Sequence, residues 1–165
     1  TGAHEKIAGF LTRKFWAAID RQHLNYFIPR TCSIKTSSAK SGFLPDVAVL
    51  DEETINENPR WKKESTITAG QTAKLIVEVT STNWRDDYER KLPDYEEMGV
   101  GEYWILDYLG LAAARHIGNP KQPVLTICEL VNGEYQLQQL RGNTEIVSPT
   151  LGNLEITAEQ LFNAG

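Results

Sequence analysis

Apolar residues at Ile7, Leu11, Phe15, Ala18 and Ile19 recur close to the 3.6-residue period. The spacing predicts an amphipathic helix over residues 3–20. Two short strands are expected at Tyr26–Ile28 and Cys32–Lys35, separated by Pro29, with a turn over residues 37–42 (SSAKSG). The run LPDVAVL (44–50) reads as a strand opened by Pro45, a position where proline is tolerated. Residues 51–71 are polar, contain Pro59 and Gly70, and read as a long surface loop. AKLIVEV (73–79) has the β-branched, near-continuous apolar character of a central strand. Residues 86–98 place Tyr88, Lys91, Leu92 and Tyr95 on one helical face. Pro93 should kink that helix, and Gly99 and Gly101 end it. EYWILDY (102–108) is another apolar strand, and residues 112–149 read as short strands and turns with a hairpin at Asn132-Gly133. A terminal helix at 157–162 opens on Thr157, with Gln160 placed for a capping box. The strand–helix–strand unit at 73–108 predicts a right-handed crossover between parallel neighbours. The fold class is therefore α/β, with a mixed central β-sheet flanked by helices.

Composition narrows the class. A chain of 165 residues is expected to form one domain, residues 1–165, large enough to bury a core without a metal or disulfide staple. Charged residues are 24% and hydrophobic residues 41%, which excludes collagen-like and disordered classes. Seventeen Lys and Arg against 22 Asp and Glu leave a net charge of −5, unsuited to strong non-specific binding of nucleic acid. A local basic surface or a metal-loaded site would still permit it. Cys32 and Cys128 are the only cysteines and form neither a zinc motif nor a disulfide framework. No apolar run approaches the roughly 20 residues of a membrane span, and no secretory leader is visible, so the cytoplasm is the default compartment. Thr1 runs straight into the first helical pattern, so an upstream segment is expected to be missing.

Two of the apolar strands carry acids. Asp46 follows Pro45 at the start of one, and Glu78 lies near the end of the other, sharing a strand face with Lys74, Ile76 and Thr80. A carboxylate on an apolar strand is costly to bury unless it is paired or binds a cation. Two of them on adjacent strands form an oxygen site suited to Mg²⁺, which takes one or two carboxylates and retains waters. The Val79 carbonyl is a natural further ligand. Lys91, four residues after Asp87, shares a face with Tyr88 and Tyr95 on the crossover helix. An ammonium directed at the carboxylates can hold or activate a water, or stabilise a developing phosphoryl charge.

The ordered run from Pro45-Asp46, through Leu75–Ser81 (LIVEVTS), to Asp87, Lys91, Tyr95, Gly99-Val100 and Glu102–Asp107 (EYWILD) resembles the Uma-type putative restriction endonuclease family, within the PD-(D/E)XK nuclease superfamily. The resemblance covers roughly residues 4–160. It implies a restriction-endonuclease-like fold and a Mg²⁺-dependent endonuclease acting on DNA, with Mn²⁺ as a possible substitute. It places the metal on Asp46 and Glu78. The superfamily lysine two residues after the acid is replaced here by Thr80, and the Uma-type pattern carries it on the next helix, which matches Lys91. Glu5 is the nearest match to the helical acid that some superfamily members add. His4 matches a family position, but a surface histidine at a helix start is the simpler reading.

Plainer roles compete at each position. Asp46 can cap a turn, Glu78 can be a structural acid paired with a cation, and Lys91 can form a solvated pair with Asp87. Tyr88 and Tyr95 fit core packing better than substrate contact, and Ser81 fits a loop cap. A Ser-His-Asp hydrolase lacks its G-x-S-x-G elbow. The leading expectation is a nuclease with Asp46, Glu78 and Lys91 as catalytic residues and Asp46, Glu78 and Val79 as metal ligands. The alternatives are a non-catalytic binding or assembly protein that keeps the fold, and a hydrolase of another phosphoester. DNA is the expected partner. A homodimer is expected because Tyr103, Trp104, Tyr108 and Leu109 look like more apolar surface than one helix covers, and because duplex cutting favours a two-fold pair of sites.

Overall fold

The computed structural model describes residues 1–38, 40 and 42–165. Helix α1 (Gly2–Gln22) begins with the Thr1 side chain accepting from the His4 backbone N–H, and it buries the Ile7, Leu11, Phe15, Ala18 and Ile19 face. Short strands β1 (Tyr26–Phe27) and β2 (Ser33–Ile34) follow. The turn expected at 37–42 includes Ser37 and Ser38, while Ala39 and Ser41 lie outside the described residues. Strand β3 (Val47–Asp51) begins after Pro45 and Asp46, later than the expected 44–50.

The surface loop expected over 51–71 is in fact structured. It holds a 3₁₀ turn (Ile55–Glu57), helix α2 (Trp61–Glu64), strand β4 (Thr66–Ile67) and a second 3₁₀ turn (Gly70–Thr72). β4 pairs in parallel with β2. Asn58 organises the segment. Its amide nitrogen donates to Thr54 O, Ile55 O and Thr72 Oγ1, and its oxygen accepts from the backbone N–H groups of Thr68 and Ala69. Ile55 and Ile67 are buried beneath it, so a polar composition conceals two apolar anchors.

The centre is β5 (Ala73–Val79) and β6 (Glu102–Asp107), paired in parallel through Ile76–Tyr103 to Val79–Leu106. Between them the chain forms a π-helical segment (Asp86–Lys91) and helix α3 (Leu92–Met98). Pro93 stands just after the π-helical segment within a helical run unbroken from Trp84 to Met98, so the kink or break expected there is a change from π- to α-helical register. Gly99 closes α3 at φ 92°, a left-handed cap that favours glycine.

Helix α4 (Ala114–Ile117) leads to β7 (Val124–Val131) and β8 (Glu134–Leu140), joined at Asn132-Gly133 with both residues at positive φ. Strands β9 (Glu145–Ser148) and β10 (Gly152–Thr157) form a separate ribbon. Helix α5 (Ala158–Phe162) starts with the expected Thr157–Gln160 capping box. The main sheet has the order β1-β3-β5-β6-β7-β8. One face packs against α1, α5 and the β9–β10 ribbon, through residues such as Phe15, Val77, Trp104 and Leu154. The other packs against α3, α4 and the β2–β4 pair, through Ile34, Ile76, Tyr95 and Tyr103. The fold is thus a mixed α/β sheet flanked by helices, consistent with restriction-endonuclease-like architecture.

Coverage on both faces corrects one premise. Tyr103 and Trp104 are 0% exposed and add nothing to a surplus apolar surface, whereas Leu109 is 56% exposed.

Candidate active site

Asp46, Glu78 and Lys91 come to the end of β5 from three different elements. The Asp46 backbone N–H donates to Val77 O (3.1 Å), and its Oδ2 accepts from the Val79 N–H (2.7 Å). Asp46 is therefore fastened to β5 on either side of Glu78. Glu78, 3% exposed, points into the layer containing α3. Its Oε1 accepts from Tyr95 Oη (3.2 Å), and its Oε2 lies 3.2 Å from Lys91 Nζ.

The π-helical turn delivers the lysine. Lys91 Nζ is 3.1 Å from Asp87 Oδ1, and Asp87 Oδ2 accepts from Thr80 Oγ1 (2.9 Å). Thr80 supplies no cation, yet it holds the acid that holds the lysine. The Asp87 carbonyl is in turn fixed by Tyr103 Oη (3.0 Å). π-Helical turns occur often at functional sites because they re-aim side chains. Sequence reading treats the Asp87–Lys91 pair as solvated in its plain form. Instead Asp87 is buried and the Lys91 side chain is only 15% exposed. Lys91 also lies over the Phe43 ring, 5.8 Å from its centre.

His4 reaches the same place from α1. Its Nε2–H donates to Val79 O (3.1 Å) and lies 3.3 Å from Asp46 Oδ1. Because a carbonyl can only accept, Nε2 carries the proton. The surface reading of His4 is therefore corrected: its side chain is 20% exposed and bridges two of the expected metal ligands. His4 stands at i, i+3 and i+7 spacing with Ile7 and Leu11, on the stripe that α1 buries, but the period alone names no partner 42 positions away in Asp46. Glu5 is largely exposed and meets only His4 Nδ1 (3.4 Å). Tyr95 is buried as expected of core packing, but its hydroxyl also serves Glu78. Tyr88 is buried and stacks on His116, with centroids 4.7 Å apart. Ser81 Oγ donates to Asn83 Oδ1, a local loop contact.

The electrostatics follow from the count of charges. Burial pushes the Glu78 carboxyl up to about 8, opposed by the Lys91 ammonium and reinforced by Asp87 and Asp46. Burial also raises Asp46, against the Val79 N–H bond and the nearby His4 and Lys91. Burial alone would lower Lys91, but the carboxylates of Glu78 and Asp87 outweigh it and hold the ammonium above its ordinary value. Two buried carboxylates thus share the Lys91 ammonium with a third, half-buried one close by, an arrangement that favours uptake of a proton or another cation.

A divalent ion fits this donor set in one form only. Among the described residues no group of three or more His, Cys, Asp or Glu side chains is arranged to hold a metal. The donors that remain are the two carboxylates of Asp46 and Glu78 and the Val79 carbonyl. Each carboxylate has lone pairs beyond those already engaged. Few carboxylates, a carbonyl and retained waters match Mg²⁺ rather than a soft metal.

Among the described residues no helix is long and apolar enough to cross a membrane. No curated protein matches the chain. The model of the family Uma2, described as "Putative restriction endonuclease", matches residues 1–159, nearly the whole length. The chain therefore belongs to the Uma2 family of putative restriction endonucleases.

Proposed function

We propose that the protein is a Mg²⁺-dependent endonuclease of the PD-(D/E)XK superfamily that hydrolyses DNA phosphodiester bonds. The observation that carries this reading is the buried pair Glu78 and Asp87 on the Lys91 ammonium, with the half-buried Asp46 fastened to the same strand end by the Val79 N–H. Asp46, Glu78 and the Val79 carbonyl would hold the ion, with Mn²⁺ an acceptable substitute. A divalent ion there supplies Lewis-acid polarisation of the phosphate and a more acidic bound water. Lys91, kept protonated by its two carboxylates, orients the attacking water and stabilises charge growing on the phosphoryl oxygens; it does not act as the base. Asp87 and Tyr95 fix Lys91 and Glu78 in place. His4 holds Asp46 Oδ1 and Val79 O from the opposite layer.

The test is nicking of supercoiled plasmid with Mg²⁺, with Mn²⁺ and with EDTA. Metal-dependent nicking supports the reading. Plasmid left intact by protein that binds Mg²⁺ would favour a non-catalytic binding protein built on the same fold. A two-fold homodimer suits duplex cutting, and light scattering at micromolar concentration tests it.

A further inference from the structure

Beside Asp46 a cavity of about 210 Å³ lies between α1 and the chain that leads from β1 to β3. Its lining includes Thr12 and Trp16 of α1, Ile28, Pro29, the exposed Arg30, and Asp46 itself. Trp16 stands outside the apolar face of α1 and is 37% exposed. Among the described residues its ring meets neither another aromatic ring nor a cation, whereas Phe15 next to it packs edge-on against Trp104. A large indole left facing a concavity forgoes apolar burial that an ordinary core position would give it. A second cavity, of about 510 Å³, is lined by His4, Ser81, Thr82 and Leu109. His4 and Asp46 are 3.3 Å apart, so the two cavities lie on either side of that contact, next to the candidate centre.

We propose that the cavity beside Trp16 receives one unpaired nucleobase next to the phosphate to be cut, so that the substrate is single-stranded or locally unpaired at that point. The proposal rests on the nuclease reading and names its substrate class. The volume corresponds to roughly seven waters, room for one flat heterocycle and not for a stacked pair. A base within a duplex is stacked and paired, and it reaches such a pocket only by leaving the helix. The indole face offers stacking that accepts any base, and Arg30 at the rim meets a neighbouring phosphate. The charge of the chain favours the same mode. At −5 it has no surplus of cations to drive duplex binding by counterion release, so base stacking has to carry a larger share of the contact.

The test uses one labelled oligonucleotide sequence presented as a single strand, a perfect duplex and a duplex with a one-nucleotide bulge. Binding is read by anisotropy in EDTA, and cutting is read in Mg²⁺. The parent is expected to bind the single strand and the bulge at least about 10-fold tighter than the duplex. Trp16→Ala should lose about 10-fold on the single strand, and Trp16→Phe should keep most of the affinity. Both variants should retain the parent melting temperature, since Trp16 lies outside the core. Equal affinity for all three forms, or an indifferent Trp16→Ala, overturns the base pocket, and metal-dependent duplex nicking would then leave the nuclease reading standing. Trp16-dependent binding without any cutting sustains the pocket and overturns the nuclease reading.

Discussion

Lys91 is the residue on which the proposed chemistry depends most. Its ammonium sits between Glu78 Oε2 and Asp87 Oδ1 at 3.2 and 3.1 Å. Replacing it with alanine leaves Asp46, Glu78 and the Val79 carbonyl in place, so metal binding should survive. Cutting should fall by on the order of 10²–10³, the range for losing one preorganised group that stabilises developing charge. Single-turnover rates alongside Mg²⁺ titration calorimetry separate the two effects, and an unchanged rate would remove Lys91 from the mechanism. Its position was visible in sequence as an i,i+4 partner of Asp87. Its burial was not, because a charge pair on a helix is solvated far more often than it is enclosed. His4 is the converse case: it was read as a surface histidine at a helix start, although it continues the Ile7–Leu11 stripe, and the packing of α1 across the end of β5 brings it to Asp46.

At the scale of elements, the segment between β3 and β5 shows how a polar stretch can be firmly built. Asn58 uses its whole amide, donating to Thr54, Ile55 and Thr72 and accepting from the Thr68 and Ala69 N–H groups. Asn58→Ala would remove five hydrogen bonds made by a buried side chain and should cost about 1–3 kcal/mol. Urea denaturation followed by circular dichroism would show a lower midpoint with an unchanged slope. A midpoint equal to the parent's would mean that water replaces the side chain freely. The π-helical turn is a second element that pattern reading did not foresee. The apolar period of residues 86–98 says helix, and an i→i+5 turn carries no separate period of its own. Pro93 was the local sign of a discontinuity, and it proved to mark the place where α3 begins.

At the scale of the whole molecule, the buried carboxylates link stability to pH. The Glu78 carboxyl lies near 4.5 when unfolded and is raised to about 8 in the fold. The native state therefore binds more protons than the unfolded state between those values. The stabilisation from that proton is fully present below about pH 4.5 and is lost as pH rises through about 8. Asp46 and Glu102 are raised as well, both chiefly by burial, and act in the same direction. Metal-free protein should melt at progressively lower temperature from pH 5 to pH 9. Glu78→Gln, which carries no charge to bury, should flatten that decline and raise the melting temperature at the alkaline end. Parallel curves for parent and variant in scanning calorimetry would show that Glu78 is ionised without penalty.

Local pattern alone specified a large part of this protein. The apolar runs 73–79 and 102–108 became the paired parallel strands at the centre, because a strand buried on both faces has no polar side to show. The 3.6 period gave α1, and Asn132-Gly133 and Thr157–Gln160 gave a turn and a helix start through chemistry contained within a few residues. Asp46 and Glu78 stood out because an acid in an apolar strand needs a partner. Of their partners, Lys91 was legible from the crossover helix and the family pattern, whereas His4 and the Thr80–Asp87 link were decided only by tertiary structure. Periodicity reports which side of an element is buried, whereas the contacts His4–Asp46, Lys91–Glu78 and Thr80–Asp87 depend on how separate elements cross. The sheet brings two acids together at one strand end, and the layers on its two faces each contribute a nitrogen to them.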